Sequence, residues 1–156
     1  MRYRYLISLI FVITISFASF AETKKAANLG PDKAYLQKLL DGWSSLNPAN
    51  MKQYYVQGDH LFFDIAPVKY SNWAEYQTGT TELLGGYKSL KMTLNDDAQI
   101  HHEGNLTWAV ATIKEESVTV NDKHELGTFR WTVLFQKQPD GKWLIVHEHT
   151  SVPAQD

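Results

Sequence analysis

The stretch RWTVLFQKQPDGKWLIVHEHTSVP, residues 130–153, determines the fold class of this chain. Apolar and polar residues alternate on both sides of Gln138-Pro139-Asp140-Gly141, which predicts two antiparallel strands joined by a hairpin turn. Alternation places one set of side chains of the second strand on one face: Trp143, Ile145, His147, His149 and Ser151. It places the other set on the opposite face: Leu144, Val146, Glu148 and Thr150. A β-bulge in the strand would shift this assignment.

The segments before this hairpin predict an α+β domain. Residues 32–45 repeat apolar side chains at helical spacing, and a short helix from Asn50, a strand at Leu61–Ile65 and a helix capped by Ser71 follow. After Gly85-Gly86 the pattern predicts four long strands: Ser89–His102, Leu106–Val120, Glu125–Lys137 and Lys142–Val152. Helices followed by an antiparallel meander indicate a curved sheet with helices on one face and a cleft at its open end.

The N-terminus predicts export. Arg2 and Arg4 precede the apolar run Leu6–Phe17, and Ser19-Phe20-Ala21 has small residues where a signal peptidase cuts. We therefore expect a signal peptide at residues 1–21, a flexible leader at 22–30 and one domain at 31–156, located in the periplasm or secreted. An uncleaved anchor is the alternative, but a spanning helix needs about 20 apolar residues, so we expect no stable membrane anchor.

Composition narrows the function classes further. Removing residues 1–21 takes away two arginines and no acid, which moves the net charge from −2 to −4 and argues against a nucleic-acid partner. The chain has no cysteine, so neither a disulfide nor a cysteine nucleophile exists. It also lacks a phosphate-binding glycine loop, a nucleophile elbow and a dinucleotide fingerprint, and we expect no cofactor. Proton transfer, metal chemistry and plain ligand binding remain.

The C-terminal hairpin resembles that of the SnoaL-like group in the nuclear transport factor 2-like superfamily, and the association domain of calmodulin-dependent protein kinase II. The shared pattern is an arginine strand, Gly-x-Trp after the turn, and His-x-His-x-Ser, here carried by residues 130, 141–143 and 147–151. The resemblance implies a cone-shaped, cystatin-like α+β fold with an internal cavity, and a homodimer through the outer sheet face. It implies no single activity, because the superfamily includes ketosteroid isomerases, polyketide cyclases, dehydratases and domains that only bind or assemble.

Three residues are candidate catalytic groups. If the His147 face lines the cavity, His149 would act as a base, with His147 in the ligand site and Arg130 holding an anion through its planar fork. Alternatively, Arg130 pairs with a buried acid and the histidines pack structurally. Asp64 follows an apolar strand, and an acid in apolar surroundings would have a raised pKa suited to a general base or acid. An exposed or capping carboxylate is the alternative for Asp64.

Aromatic residues are candidate walls of the cavity as a set, although core packing is the simpler role for any one of them. The residues singled out for ligand binding are Trp43, Tyr55, Phe63, Tyr70, Trp73 and Trp108. The spacing of His147 and His149 also suits two metal ligands on a strand, with His102 or Asp64 as a third, but we do not favour a metal site.

These observations favour a pocket that binds a small apolar or aromatic molecule carrying a carbonyl or carboxylate. Any chemistry would be cofactor-free proton transfer of the isomerase, cyclase or dehydratase type. The alternative is a non-enzymatic association or partner-recognition module.

Overall fold

The computed structural model describes residues 30–65 and 67–154, so the predicted signal peptide and nearly all of the predicted leader lie outside the described residues. The helices are α1 (Lys33–Ser44), a 3-10 helix (Pro48–Tyr54) and α2 (Trp73–Leu84). The strands are β1 (Asp59–Phe63), β2 (Tyr70–Asn72), β3 (Tyr87–Leu94), β4 (Gln99–Glu103), β5 (Leu106–Thr119), β6 (His124–Lys137) and β7 (Trp143–Ser151). Among the described residues, no helix has the length and apolar character needed to cross a membrane.

Side-chain caps set where the helices begin. Asp32 accepts a hydrogen bond from the Tyr35 N–H at 2.8 Å, and α1 then buries the apolar stripe predicted for it. Asn47, rather than Asn50, caps the 3-10 helix, because its side chain accepts the Ala49 N–H and Pro48 takes the first helical position. Asn72, rather than Ser71, caps α2 by accepting the Glu75 N–H, which corrects the prediction made from sequence.

The strands form one sheet in the order β2-β1-β7-β6-β5-β3, with β4 also paired to β5. β1 runs parallel to β7, whereas the other pairings are antiparallel. The predicted strand Ser89–His102 is divided into β3 and β4. The division arises because Asp97 accepts both the backbone N–H and the hydroxyl of Thr112, at 3.0 and 2.8 Å, while the Asn95 N–H bonds to the Thr112 carbonyl.

A β-bulge at Val146 changes which side chains of β7 face inward. Phe135 lies opposite Ile145 but Leu134 lies opposite His147, so Val146 is an extra residue in β7. Trp143 and Ile145 are buried as the alternation predicts, but beyond the bulge Glu148 is buried and His149 is exposed. The predicted faces are therefore wrong after Val146.

Helices α1 and α2 cover the inner face of the curved sheet and close one hydrophobic core. Its centre is a group of packed rings, in which the Tyr55 ring centroid lies 4.5 Å from that of Trp73 and 5.8 Å from that of Tyr76. Phe62, Val133 and Phe135 complete this centre from the sheet. The predicted α+β class, with a curved antiparallel sheet and N-terminal helices, is confirmed.

Candidate functional site

A cavity of about 230 Å³ lies between the two α-helices and the inner face of the sheet. Its walls are mainly apolar and aromatic and come from both helices, the segment after β1, and strands β3, β5, β6 and β7. The lining residues include Trp43, Asp64, Tyr76, Trp131, Glu148 and Thr150. Ile65 and Leu83, each nearly half exposed, border the opening. Such a concave apolar site with few polar groups is typical of small-molecule binding.

Glu148 is the most buried acid of the cavity, with 2% of its surface exposed. The Tyr55 hydroxyl donates to its Oε1 at 2.7 Å, and the Trp131 indole N–H donates to its Oε2 at 3.2 Å. Burial raises the pKa of Glu148 to about 7, against the opposing effect of hydrogen bonds from Tyr76, Tyr55 and Trp131. A carboxyl with this pKa can either give or take a proton near neutral pH.

Asp64 provides a second carboxyl beside the first. It follows β1, and its Oδ1 accepts the Ile65 N–H at 2.7 Å while its Oδ2 accepts the Tyr76 hydroxyl at 3.3 Å. Burial raises the pKa of Asp64, as expected for an acid in apolar surroundings. The charge of Asp64 in turn contributes to the raised pKa of Glu148.

Strand pairing and α2 bring these groups together. Phe62 of β1 pairs with Glu148 of β7, so Asp64 emerges two residues beyond that pair. Tyr76 on α2 interacts with both carboxyl groups. Burial, followed by the charge of Glu148, raises the pKa of Tyr55 and of Tyr76 well above 10, so both hydroxyls remain proton donors in hydrogen bonds. The result is a pair of unlike acids linked by one tyrosine, an arrangement that can combine a proton acceptor with a proton donor.

Several residues predicted for the site lie at or next to the cavity. Asp64 and Trp43 line it, and Tyr55 is bonded to Glu148. Trp73 and Tyr70 pack behind the site, against Tyr55 and Tyr76 respectively.

The other predicted residues lie on the outer face of the sheet. Arg130 is exposed, between Thr112 of β5 and Ser151 of β7. His147 Nδ1 lies 2.7 Å from the Leu61 carbonyl oxygen, and the bulge at Val146 accounts for its outward position. The prediction that Arg130 and His147 lie in the cavity is therefore wrong. The same prediction is wrong for three other residues of the outer face: His149, Phe63 and Trp108.

Sequence reasoning did not single out Glu148 or the linking role of Tyr76. Strict alternation placed Glu148 on the face opposite Trp143 and Ile145, and only knowledge of the bulge reverses that assignment. The available signal was chemical: Glu148 is the one acid in the strand.

Among residues 30–65 and 67–154, no group of three or more histidine, cysteine, aspartate or glutamate side chains is arranged to hold a metal ion. His147 and His149, the pair whose spacing suits two metal ligands, lie on the outer face, whereas Asp64 lines the cavity and is not placed to be their third ligand.

An open, curved antiparallel sheet around N-terminal helices, enclosing a cavity, defines the nuclear transport factor 2-like class of α+β proteins. Residues 33–155 match the family model of the SnoaL-like domain, and the chain belongs to that family. A comparison with curated proteins finds no match.

Solved structures show the same fold at low sequence identity. A nuclear transport factor 2-like superfamily protein from Salmonella enterica is 22% identical, with a TM-score of 0.68 over 79% of this chain and 92% of its own. A calcium/calmodulin-dependent protein kinase II association-domain-like protein from Xanthomonas campestris is 18% identical, with a TM-score of 0.69 over 79% and 86%. A ketosteroid isomerase-like protein from Erwinia carotovora is 9% identical, with a TM-score of 0.69 over 83% and 99%. These likenesses confirm the fold and the resemblance seen in the sequence.

Proposed function

We propose that the cavity binds a small apolar or aromatic molecule carrying a carbonyl group and catalyses a cofactor-free proton transfer within it, of the isomerase, cyclase or dehydratase type. The observation that carries this proposal is the buried carboxyl of Glu148, held by Tyr55, Trp131 and Tyr76 on the wall of an apolar cavity beside Asp64. With the predicted signal peptide, the reaction would take place in the periplasm or outside the cell.

The two acids take different roles because their surroundings differ. Glu148 is fully buried, and its raised pKa favours the protonated form that donates to a carbonyl oxygen. Asp64 is less buried than Glu148, and it removes a proton from the carbon next to that carbonyl. The Tyr76 hydroxyl donates its one proton to Asp64 and thereby holds that carboxyl in position. The proton held by Asp64 then returns to another carbon, or protonates a leaving hydroxyl group that departs as water.

The direct test is solvent exchange. We expect the protein to catalyse deuterium incorporation at the carbon next to the carbonyl in small aromatic and cyclic ketones dissolved in D₂O, followed by NMR. Asp64→Asn should lower the rate at least about a hundredfold, because the proton acceptor is gone. Arg130→Gln, a change on the outer face, is the control and should retain the wild-type rate. A wild-type protein that exchanges none of these ketones above the rate of buffer contradicts the proposal.

The outer face of the sheet supports the association proposed from the family resemblance. Its central rows run across β4, β5, β6, β7 and β1, and their side chains are mostly apolar, aromatic or histidine: His101, Trp108, Leu134, His147 and Leu61 in one row, and Gln99, Val110, Thr132, His149 and Phe63 in the next. No aspartate or glutamate belongs to either row, although Val110 and Leu61 are 39% and 45% exposed. We propose a homodimer in which two copies bury this outer-face patch against each other.

A single lysine in the outer-face patch should separate the dimer. Val110→Lys would place a charge in the buried centre of the interface, and we expect at least about a tenfold loss of dimer affinity by light scattering after size exclusion. Val120→Lys changes another exposed valine, just beyond the end of β5 and outside the patch, and should leave the dimer intact. A monomeric wild-type protein, or equal effects of the two changes, contradicts this interface.

A further inference from the structure

The charge inside the cavity has one sign. Three of the lining side chains are carboxyl groups, those of Asp64, Glu115 and Glu148, and among the described residues no lysine, arginine or histidine lines the cavity. Arg130, which was expected to hold an anion there, is on the outer face. A carboxylate ligand would therefore meet like charges without a compensating cation.

Of the three carboxyl groups in the cavity, Glu115 is the one that has no role in the proposed proton transfer. It lies on β5 opposite Gly127, where an added Cβ would approach the Glu115 Oε2 to 3.0 Å, so the glycine leaves room for this side chain. Within the described residues no ion pair involves Glu115, whereas its neighbour Glu116 pairs with Lys114. Lys123, the lysine whose charge also acts on Tyr87, pairs with Glu125 instead.

Two aromatic residues line the same cavity as this carboxyl. Phe129 follows two residues after Gly127 and lines the same cavity, as does Tyr87. Tyr87 is farther along β3, opposite Thr119, and burial followed by the charge of Glu115 raises its pKa. A carboxylate among aromatic faces is a favourable environment for an organic cation.

Glu115 and Glu148 lie at different ends of the site. They lie opposite Gly127 and Val133 of β6, positions that are separated by about 20 Å along the strand at 3.3 Å per residue. A positive group held by Glu115 thus stays apart from the reacting end of the ligand at Glu148.

We propose that the ligand is an organic amine, with its ammonium group bound by Glu115 between Tyr87 and Phe129 and its apolar body extending toward Glu148. This inference rests on the proposed function, since it names the class of molecule that the same cavity binds.

Three probes of nearly equal shape test the charge preference: phenethylamine, phenethyl alcohol and phenylacetate, each titrated by calorimetry into the protein without its predicted signal peptide. We expect the amine to bind at least about tenfold more tightly than the alcohol, and the carboxylate more weakly than either. Glu115→Gln should bring the amine and the alcohol to nearly equal affinity. Glu116→Gln removes a neighbouring carboxyl on the outer face and should leave the preference unchanged.

The outcomes separate this inference from the function on which it rests. Equal or tighter binding of the alcohol or of phenylacetate overturns the amine preference but leaves a ligand-binding cavity. A preference for the amine that survives Glu115→Gln, or that Glu116→Gln also removes, overturns the assignment to Glu115. Wild-type protein that binds none of the three overturns both this inference and the proposed binding function.

Discussion

A Glu148→Gln variant should lose catalysed proton exchange by at least about a hundredfold while it keeps the native fold. Glutamine has nearly the same shape and can still accept one hydrogen bond from Tyr55 or Trp131. It cannot release or regain a proton near neutral pH, which is the property that burial gives to Glu148. The rate is measured by deuterium incorporation into the ketone probes, and the fold by circular dichroism and thermal melting.

The matched control is the next residue along the chain. His149→Gln changes a side chain that packs on Phe63 at the outer face, and we expect it to retain catalysis within about twofold. The two variants together also test whether the catalytic group on β7 is Glu148 on the inner face or His149 on the outer face. If His149→Gln abolishes exchange and Glu148→Gln does not, the catalytic group is on the outer face and the proposed site is misplaced.

The free energy of unfolding should fall as the pH rises from about 4.5 to 7, and Glu148 should be a main cause. The pKa of this carboxyl is raised from 4.5 to about 7 in the folded protein, so the native state binds the proton more tightly than the unfolded chain does. The stabilisation is complete below pH 4.5 and is lost as the pH rises through 7, with a total loss of about 3 kcal/mol from this group. Asp64, whose pKa is also raised by burial, acts in the same direction.

Denaturant unfolding at a series of pH values between 4.5 and 8 measures this effect. The difference in unfolding free energy between wild type and Glu148→Gln should change by about 3 kcal/mol across the range, because the variant lacks the titrating group. Glu103→Gln removes an exposed carboxyl of β4 and should reproduce the wild-type pH dependence. A constant difference between wild type and Glu148→Gln would show that Glu148 is ionised in the native state throughout.

The fold could be predicted from the sequence because its signals are local and repeated. The apolar stripe of α1, the alternation in β5 and β6, and the Asp-Gly turn each identify an element within about 15 residues. The errors at helix starts are equally local. Asn72 and Ser71 are both good N-cap residues, and Asn72 is the cap because its side chain accepts the Glu75 N–H.

The site was predicted only in part, because it depends on distant pairings. Asp64 was found from its apolar surroundings, and Trp43 and Tyr55 from their aromatic character. The place of Glu148 depends on one extra residue in β7, and its link to Asp64 depends on the parallel pairing of β1 with β7. Neither the bulge nor the parallel pairing can be recognised from the residue pattern of one strand.

The bulge at Val146 has a consequence for comparing this chain with its relatives. A relative that lacks the extra residue has the opposite parity from that point to the end of the strand, so an ungapped alignment would match Glu148 with an outward side chain. An alignment anchored on the His-x-His pattern would then assign the role of an inward residue in one protein to an outward residue in the other, although the two sequences match there. Superposition of the inner-face positions on β6 and β7 avoids the error, since Trp131, Val133 and Glu148 keep a common orientation whatever the gap. Candidate functional residues of this family should therefore be compared by the face of the sheet on which their side chains lie, and not by sequence position alone.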